Sequence, residues 1–486
     1  MSVREEMLLH VMVYLSSPHA ANEVCSGLRS GGGHGASGKH MDSPLGRQER
    51  PRAWLFLDVA RYRILEISVS FPEKSCMTNI KTATVFLCVS LCLLSCPEDA
   101  RSDGVPAIKG TLTPIKSSIE GIISNRHQEH MWMTEDGGVC VVTAGSKSSG
   151  TGLYFSCTYD QGGSWKQIYK IRETAARPKA DILFQDDTLG LVYQGADLEL
   201  MYQSLAYSTG SRKWTPRESI EIYDSPDYVA DKATLAGDAR GRKWVAMKET
   251  NRTSENSRLR VGYFDAGGRL VMLDKAFGTD NKSTRKSARI STSSKGVGIV
   301  YTDGPDERSS AYTLNWAYHL DEWPLEKWVE TELYRFSVTD GEHDADGVHY
   351  SATVDGQDNV HVVTTADGDA LYYFKISGYD GIPAGPMPLG NSKEYVKISA
   401  SSVDDIYVTR TFNSDGRYQI IGLLQSSDNG RSFSEKSYLY YKKDRNLGNP
   451  RLEMPSHVDS VIPILRQIDI PSNLFGLVYF QDQVDP

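Results

Sequence analysis

The sequence predicts an all-β protein, a seven-bladed β-propeller, with six blades as the alternative. From Ser102 onward, short β-rich runs alternate with turns of Gly, Asp, Asn and Ser, and no long amphipathic helix pattern interrupts them. A strand-pair motif also recurs at a spacing of about 50 residues, which leaves room for four strands in each repeat. Repeats of this length with four strands each are typical of propeller blades.

The recurring motif is a pair of strands, in which a polar start leads into small residues, a turn and a strongly apolar strand. We expect these pairs at 130–143, 179–193, 232–247, 286–301, 349–363, 397–409 and 457–480. The last pair has no outer strands after it, whereas 107–115 and 118–124 are two β-like segments ahead of the first pair. These two N-terminal strands are expected to complete the seventh blade and close the ring, so that the propeller occupies residues 105–486.

Two runs, 158–165 and 426–433, both read Ser/Thr-x-Asp-x-Gly-x-Ser-aromatic between strand-like segments. Asp160 and Asp428, with the hydroxyl side chains beside them, can bond the turn backbone, and the glycine permits a positive φ. The pattern resembles the Asp box of sialidases and other BNR-repeat propellers. The resemblance implies framework turns between the two outer strands of a blade, on the face opposite the starts of the inner strands, so these aspartates are not expected to be catalytic.

A cationic residue type recurs where each innermost strand is expected to begin, although the chain carries a formal net charge of −9. The acidic balance argues against general nucleic-acid binding. Like charges around a narrow axis repel by about 1 kcal/mol or more per close pair, which an anionic ligand would offset. We therefore predict an anion-binding mouth, with an incidental solvated rim as the alternative. The expected ligand-binding residues are Arg177, Lys179, Lys232, Lys286, Arg289, Lys397 and His457.

The acid and base candidates are His127, His130, His349 and Tyr350, which are expected at the same mouth. Histidine is suited to proton transfer because its ordinary pKa lies near neutral pH. The His-x-x-His spacing could also bind a metal, but it lies on a strand entry and no third ligand is evident. No cofactor is therefore required, although a structural cation is possible.

The expected function is the cleavage of an acidic polysaccharide by β-elimination at this cationic mouth. The architecture resembles that of seven-bladed polysaccharide lyases such as the ulvan lyases, which implies a positive group on the uronate carboxylate and a base for the α-proton. A sialidase-like glycoside hydrolase is one alternative, although the Arg-Ile-Pro signature of that family is absent. A non-catalytic propeller that binds a glycan or a protein is the other. We expect a monomer.

An export signal is expected at 77–96, where a short basic start precedes an apolar run of about a dozen residues, too short for a membrane span. Its end, Leu-Leu-Ser-Cys96, resembles a lipobox, which implies a lipidated Cys96, a linker at 97–104 and a tethered cell-surface or outer-membrane protein; plain secretion is the alternative. Residues 1–76 are expected to be an upstream extension from a mis-assigned start. Cys140 and Cys157 flank the turn-rich stretch 145–152 symmetrically and could form a disulfide or remain reduced.

Overall fold

The structure is a computed structural model, and its described residues fall within the predicted propeller. They are 113–114, 121–123, 127–145, 152–175, 178–283, 286–304, 311–337, 349–366, 369–392, 395–401, 405–414, 418–442, 452–458, 461–467 and 475–481. The expected signal at 77–96, Cys96 and the segment 1–76 lie outside them. The described residues form strands and turns, and among them there is no helix that could span a membrane.

The first three sheets follow one another along the chain. A short strand, β1 (Thr113–Pro114), precedes them. Blade 1 contains β2 (Gly121–Ile122), β3 (Met131–Met133), β4 (Val139–Gly145), β5 (Leu153–Thr158) and β6 (Lys166–Ile171). Blade 2 contains β7 (Ala180–Gln185), β8 (Thr188–Gln194), β9 (Leu200–Ser208), β10 (Lys213–Pro216) and β11 (Ile220–Tyr223). Blade 3 contains β12 (Tyr228–Gly237), β13 (Lys243–Asn251), β14 (Ser257–Phe264) and β15 (Leu270–Asn281).

Blades 4–6 each contain four strands, as blade 3 does, and the last sheet contains three strands that are joined by β1. Blade 4 contains β16 (Ser287–Thr292), β17 (Gly296–Asp303), β18 (Ala311–Leu320) and β19 (Val329–Ser337). Blade 5 contains β20 (His349–Val354), β21 (Val360–Ala366), β22 (Ala370–Ile376) and β23 (Pro383–Asn391). Blade 6 contains β24 (Lys397–Ala400), β25 (Ile406–Ser414), β26 (Tyr418–Ser426) and β27 (Ser434–Lys442). A last sheet contains β28 (Leu452–Glu453), β29 (Val461–Gln467) and β30 (Phe475–Gln481).

Each sheet is antiparallel, and from β3 onward the chain runs from the innermost strand of each sheet to the outermost, where β10 and β11 of blade 2 both pair with β9. This arrangement confirms the predicted fold class, an all-β propeller. Six blades are complete from the inner to the outer strand in the described residues, and six is the number that the sequence analysis gave as the alternative. The last sheet is the slightest, because its inner strand β28 has only two residues. We call the face on which the inner strands begin the start face, and the face on which they end the end face.

The N-terminal strands close the ring in a way that differs from the prediction for one of them. As expected, β1 joins the last sheet, where Thr113 pairs with Leu477 of β30. The segment 118–124 was expected in the same sheet, but β2 pairs with β4 of blade 1, where Gly121 lies opposite Gly145. The reason is that β3 covers only the first half of β4. The exposed backbone groups at the end of β4 are paired by β2 instead.

The core lies between the sheets, as seven separate clusters of buried side chains that each join two neighbouring sheets. Between blades 1 and 2, for example, the rings of Trp132 and Trp214 meet edge to face at 5.8 Å. Between the last sheet and blade 1, Leu465 packs with Met131 and Val141. Because burial continues around the whole ring, the inner strands are held in a fixed array about the axis.

The two Ser/Thr-x-Asp turns have the hydrogen bonds that the sequence predicted. Asp160 accepts bonds from the Ser164 backbone N–H at 2.8 Å and from the Ser164 hydroxyl at 2.6 Å. Asp428 accepts the same two bonds from Ser432, at 2.9 and 2.6 Å. Both turns join the third and fourth strands of a blade, so they open on the end face.

Of the two alternatives for the cysteines of blade 1, a disulfide or a reduced pair, the structure has the disulfide. Cys140 of β4 lies directly opposite Cys157 of β5, and the two form a disulfide with a Cα–Cα distance of 4.1 Å. Both residues are buried in the cluster between blades 1 and 2. The bond therefore links neighbouring strands at a point where the sheet is fully covered.

Candidate functional site

The centre of the start face is filled by the chain itself. Residues 127–130, which we call the axial segment, precede β3 and are all buried. Gln128 donates to Ala233 O at 2.7 Å, the Glu129 N–H donates to Asp181 Oδ1 at 2.5 Å, and His127 Nε2 donates to Lys232 O at 3.4 Å. The segment thus bonds to blades 2 and 3 from a position on the axis. The mouth predicted at this position is therefore closed by protein.

Carboxylates of the protein neutralise the cations nearest to the axial segment. Arg289 of β16 lies 2.7 Å from Asp181 Oδ1 and 3.1 Å from Glu129 Oε2. Lys397 lies 2.8 Å from Glu453 Oε2 and donates to Gln128 O at 2.9 Å. These groups are almost completely buried, so their charges act on one another and are little screened by water.

The four acid and base candidates lie in the same buried region. His130 Nδ1 contacts Glu453 Oε1 at 2.9 Å, and the His127 ring stacks on Tyr350 with 6.0 Å between centroids. His349 is also buried, with its ring 5.6 Å from that of Tyr395. The structure brings His127 and Tyr350 together but covers both of them.

Burial also moves the proton equilibria of His127 and Tyr350 away from neutrality. Burial lowers the pKa of His127 well below its usual value, and the positive charge of Lys232 acts in the same direction. Burial raises the pKa of Tyr350 far above its usual value. Both side chains are therefore neutral near pH 7, and neither is placed to exchange protons with a ligand in solvent.

A second group of cations lies at the outer part of the start face, around blade 3. It consists of Lys179, Lys232, Lys248 and Lys286, together with Asp231 and Asp303, and we call it the lysine group. Lys179 is paired with both carboxylate oxygens of Asp231, and its side chain is 30% exposed. Lys286 donates to Ser257 O at 2.9 Å and lies 3.3 Å from Asp303. The four lysines lie close together with Asp231 and Asp303, and the charge of Asp280 also acts on Lys286.

The pKa of Lys248 shows the electrostatic effect of the neighbouring lysines. It lies opposite Asp231 on the neighbouring strand β13. Burial lowers the pKa of Lys248, and the charges of Lys179 and Lys286 lower it further, while Asp231 opposes the effect. Burial likewise lowers the pKa of Lys286. An added negative charge would favour the protonated form of both lysines.

The backbone of Lys232 has an uncommon conformation. Its φ is +52°, in the left-handed region that residues with a Cβ seldom adopt, and the register of β12 and β13 shifts between Asp231 and Thr234. A bulge of this kind redirects a side chain out of the regular strand pattern. Here Lys232 Nζ reaches across to Lys286 O at 3.3 Å, and its own N–H donates to Asp231 Oδ1 at 2.7 Å.

The remaining predicted binding residues do not join the lysine group. His457 follows β28 and donates from Nε2 to Val354 O at 3.0 Å, near the end of β20, so it lies toward the end face. In the last sheet, the charged residue that lies near the starts of the other inner strands is Glu453. The reason is that the inner strand β28 has only two residues and ends at Glu453, before His457. Arg289 and Lys397 belong to the axial pairs described above, and Arg177 lies outside the described residues.

Sequence reasoning missed Lys248 and every carboxylate of the start face. Asp181 carried a usable signal, because an acidic residue within the otherwise apolar run Ala-Asp-Ile-Leu-Phe is expected to have a buried partner. Lys248 could have been found as the cross-strand partner of Asp231. Within the described part of the chain, no group of three or more His, Cys, Asp or Glu residues is arranged to hold a metal ion.

Comparisons with known proteins leave the function of this chain open. No protein-family description and no curated protein matches the chain. Among solved structures, an ulvan lyase of polysaccharide lyase family PL25 is 12% identical, covers 78% of this chain and 95% of its own, and gives a TM-score of 0.41. An oligogalacturonate lyase in complex with manganese is 9% identical, with 78% and 98% coverage and a TM-score of 0.46. The fucose-specific lectin of Aleuria aurantia is 12% identical, with 68% and 100% coverage and a TM-score of 0.44.

The structural neighbours thus include both lyases and a lectin. Their own descriptions relate them to carbohydrates, but identities of 9–12% and TM-scores below 0.5 carry no argument about this chain.

Proposed function

We propose that the lysine group binds an anionic ligand of the acidic-polysaccharide class. The observation that carries the proposal is the close placement of four lysines on the start face, where the charges of Lys179 and Lys286 act on Lys248. The left-handed Lys232 supports it, because strained backbone often accompanies binding sites. Two of these lysines, Lys179 and Lys232, are half-buried, whereas the cations paired with carboxylates beside the axial segment are almost completely buried.

Cleavage of the polysaccharide by β-elimination remains a finer prediction. It requires a base and a leaving-group acid within hydrogen-bond reach of the ligand. Two of the four candidates for these roles, His127 and His130, belong to the buried axial segment, and the other two are also buried, whereas the lysine group lies beside blade 3. The geometry therefore supports binding first, and we assign no reaction step to these residues.

Replacing Lys179 and Lys232 together by glutamine should weaken binding of polygalacturonate by about 3- to 20-fold, since each partly exposed charge contributes up to about 1 kcal/mol. The loss of Lys179 also leaves Asp231 without its partner, so that it would repel the ligand. Isothermal titration calorimetry at low salt measures the change. The affinity of the native protein should itself fall as salt is raised, because exposed charges are screened over about 8–10 Å.

A matched control is the double replacement of Lys166 and Lys213 by glutamine. These two exposed lysines begin outer strands on the end face, and removing them changes the net charge by the same amount. Binding should be unchanged in this variant, and dextran, a neutral polymer, should not bind to the native protein. Equal losses in the two variants would show attraction without a site, and no measurable binding by the native protein would overturn the proposal.

We also infer export with a lipid at Cys96, on the apolar run at 77–96 and its lipobox-like end. The disulfide supports an oxidising compartment. Mass spectrometry of the mature protein should find Cys96 as a lipid-modified first residue, and the Cys96→Ser variant should lose the lipid mass. A mature protein that retains residues 1–76 would contradict the proposed signal.

A further inference from the structure

A cavity occupies the other end of the central channel. Its volume is about 600 Å³, and its wall is formed by the end-face halves of the inner strands of blades 1–6 and by residues 455–458, which follow β28 of the last sheet. Glu129 of the axial segment and Arg289 of β16 line it where it meets the filled start face. Because the axial segment blocks the channel behind them, these two residues form the floor of a pocket that opens on the end face. Pockets for small ligands commonly have volumes of about 300–1,000 Å³.

The floor contains a buried carboxylate oxygen that is not used by the protein. Glu129 Oε2 accepts from Arg289 at 3.1 Å, whereas Glu129 Oε1 is buried and has no hydrogen-bond partner among the described residues. Glu129 as a whole is 9% exposed. The hydroxyl of Ser291, on the wall beside the floor, is likewise buried and without a partner in the described structure. Buried polar atoms normally have partners, so these two atoms indicate a missing donor.

The charge of the floor indicates which kind of donor fits. Arg289 is shared by two carboxylates, Glu129 and Asp181. Although burial raises the pKa of Asp181 to about 6, this group is mainly ionised at pH 7. At the rim, Glu135 adds a further negative charge. A cationic donor would balance the floor, whereas an anion would meet the unpaired oxygen of Glu129 and be repelled.

The wall above the floor is mainly apolar. Met131, Ile182, Leu235, Ile290 and Val458 come from five different sheets and all line the cavity. Polar side chains near the end face are mostly engaged already: Thr292 donates to Gly237 O at 2.6 Å, and Thr353 donates to Ser456 O at 2.9 Å. A ligand body in this part of the cavity would therefore gain mainly from burial of apolar surface.

From this arrangement we propose that the end-face cavity binds a small molecule that carries a protonated amine on an apolar body. The ammonium group donates to the Glu129 carboxylate and to the Ser291 hydroxyl after a rotation of the two side chains that turns these oxygens toward the cavity, and the apolar part lies between the inner strands. This site is separate from the lysine group, which prefers ligands of the opposite charge and lies on the other face of the ring.

Three probes of similar size test the proposal on the full chain by calorimetry: cyclohexylmethylamine, cyclohexylmethanol and cyclohexanecarboxylate. The amine should bind most tightly, the alcohol more weakly, and the carboxylate not measurably. Glu129→Gln should weaken binding of the amine by about 10- to 100-fold, because a hydrogen bond to a charged group is lost. The same substitution should change the affinity for the alcohol by less than about 3-fold.

Two further variants make the outcome decisive. Glu135→Gln removes the same charge from the rim and should alter amine binding by less than about 3-fold. Ser291→Leu fills the cavity beside the floor without a change of charge, and it should abolish binding of both amine and alcohol even if Glu129→Gln does not fold. The proposal is overturned if no probe binds, if the carboxylate binds as well as the amine, or if Ser291→Leu leaves amine binding intact.

Discussion

Replacement of Arg289 by methionine should lower the free energy of unfolding by about 3–5 kcal/mol at pH 7, the cost of leaving buried charges without their partner. Arg289 bridges Asp181 of blade 2 and Glu129 of the axial segment. Asp181 is completely buried and also accepts the backbone N–H groups of Glu129 and Leu235. Without the guanidinium, two carboxylates would face each other at the centre of the ring. Urea unfolding followed by tryptophan fluorescence measures the loss.

The deficit of this variant should shrink as the pH is lowered toward 5. Burial already raises the pKa of Asp181 to about 6 while Arg289 opposes that rise, so removal of Arg289 raises it further. The native state of the variant then binds protons at a pH at which the unfolded chain does not. A raised pKa in the folded state adds stability at low pH, and this stability is lost as the pH rises through the folded-state pKa. Unfolding curves between pH 5 and 8 test the sign.

Arg269→Met is the matched control for this prediction. Arg269 pairs with Asp265 at 2.7 Å, but its side chain is 84% exposed on a turn of the end face. Ion pairs in solvent contribute little to stability, so the urea midpoint of this variant should stay at that of the native protein. If the two substitutions had the same effect, or if the loss in Arg289→Met were independent of pH, the account of the axial charges given above would be wrong.

The fold could be predicted because its signals are local and repeated. The bonds of the Asp160 and Asp428 turns use side chains within five residues of each other, so their chemistry can be read from a short run. The period of the strand pairs predicted the sheets for a similar reason. The closing sheet was harder, because β28 is only two residues long and His457, which follows it, has the residue type expected at a strand start. The pairing of β2 with β4 depends on which backbone groups of β4 are not paired by β3, and this cannot be read from the identity of any residue.

The site could be predicted only in part, because charge compensation joins residues far apart in the chain. The cationic types at the strand starts are real, and Lys179, Lys232 and Lys286 do come together. Their acidic partners do not share the repeat: Glu453 meets His130 across 323 residues, and Asp181 meets Arg289 across 108. The repulsion expected among the cations is thus offset largely by the protein itself. Only three-dimensional placement separates the almost completely buried cations beside the axial segment from the half-buried Lys179 and Lys232 of the lysine group.

Removal of the disulfide by the double substitution Cys140→Ala and Cys157→Ala should lower the free energy of unfolding by about 3 kcal/mol. The two cysteines are separated by 17 positions, and a cross-link across a loop of this length restricts the unfolded chain by about that amount. Both residues are buried between blades 1 and 2, so the smaller alanines also leave some packing unmade. Urea unfolding under oxidising conditions, compared with the native protein, measures the change.

Unfolding in the presence of a reductant separates the cross-link from the packing. Reductant should move the urea midpoint of the native protein most of the way to that of the double variant, because the reduced chain has the same freedom when unfolded. It should leave the midpoint of the double variant unchanged, since that protein has no bond between β4 and β5 to break. The reductant could leave the urea midpoint of the native protein unchanged although the thiols of Cys140 and Cys157 react with a labelling reagent in the unfolded chain. This result would show that the bond between Cys140 and Cys157 contributes nothing to stability. The remaining loss in the double variant would then belong to the core between blades 1 and 2 alone.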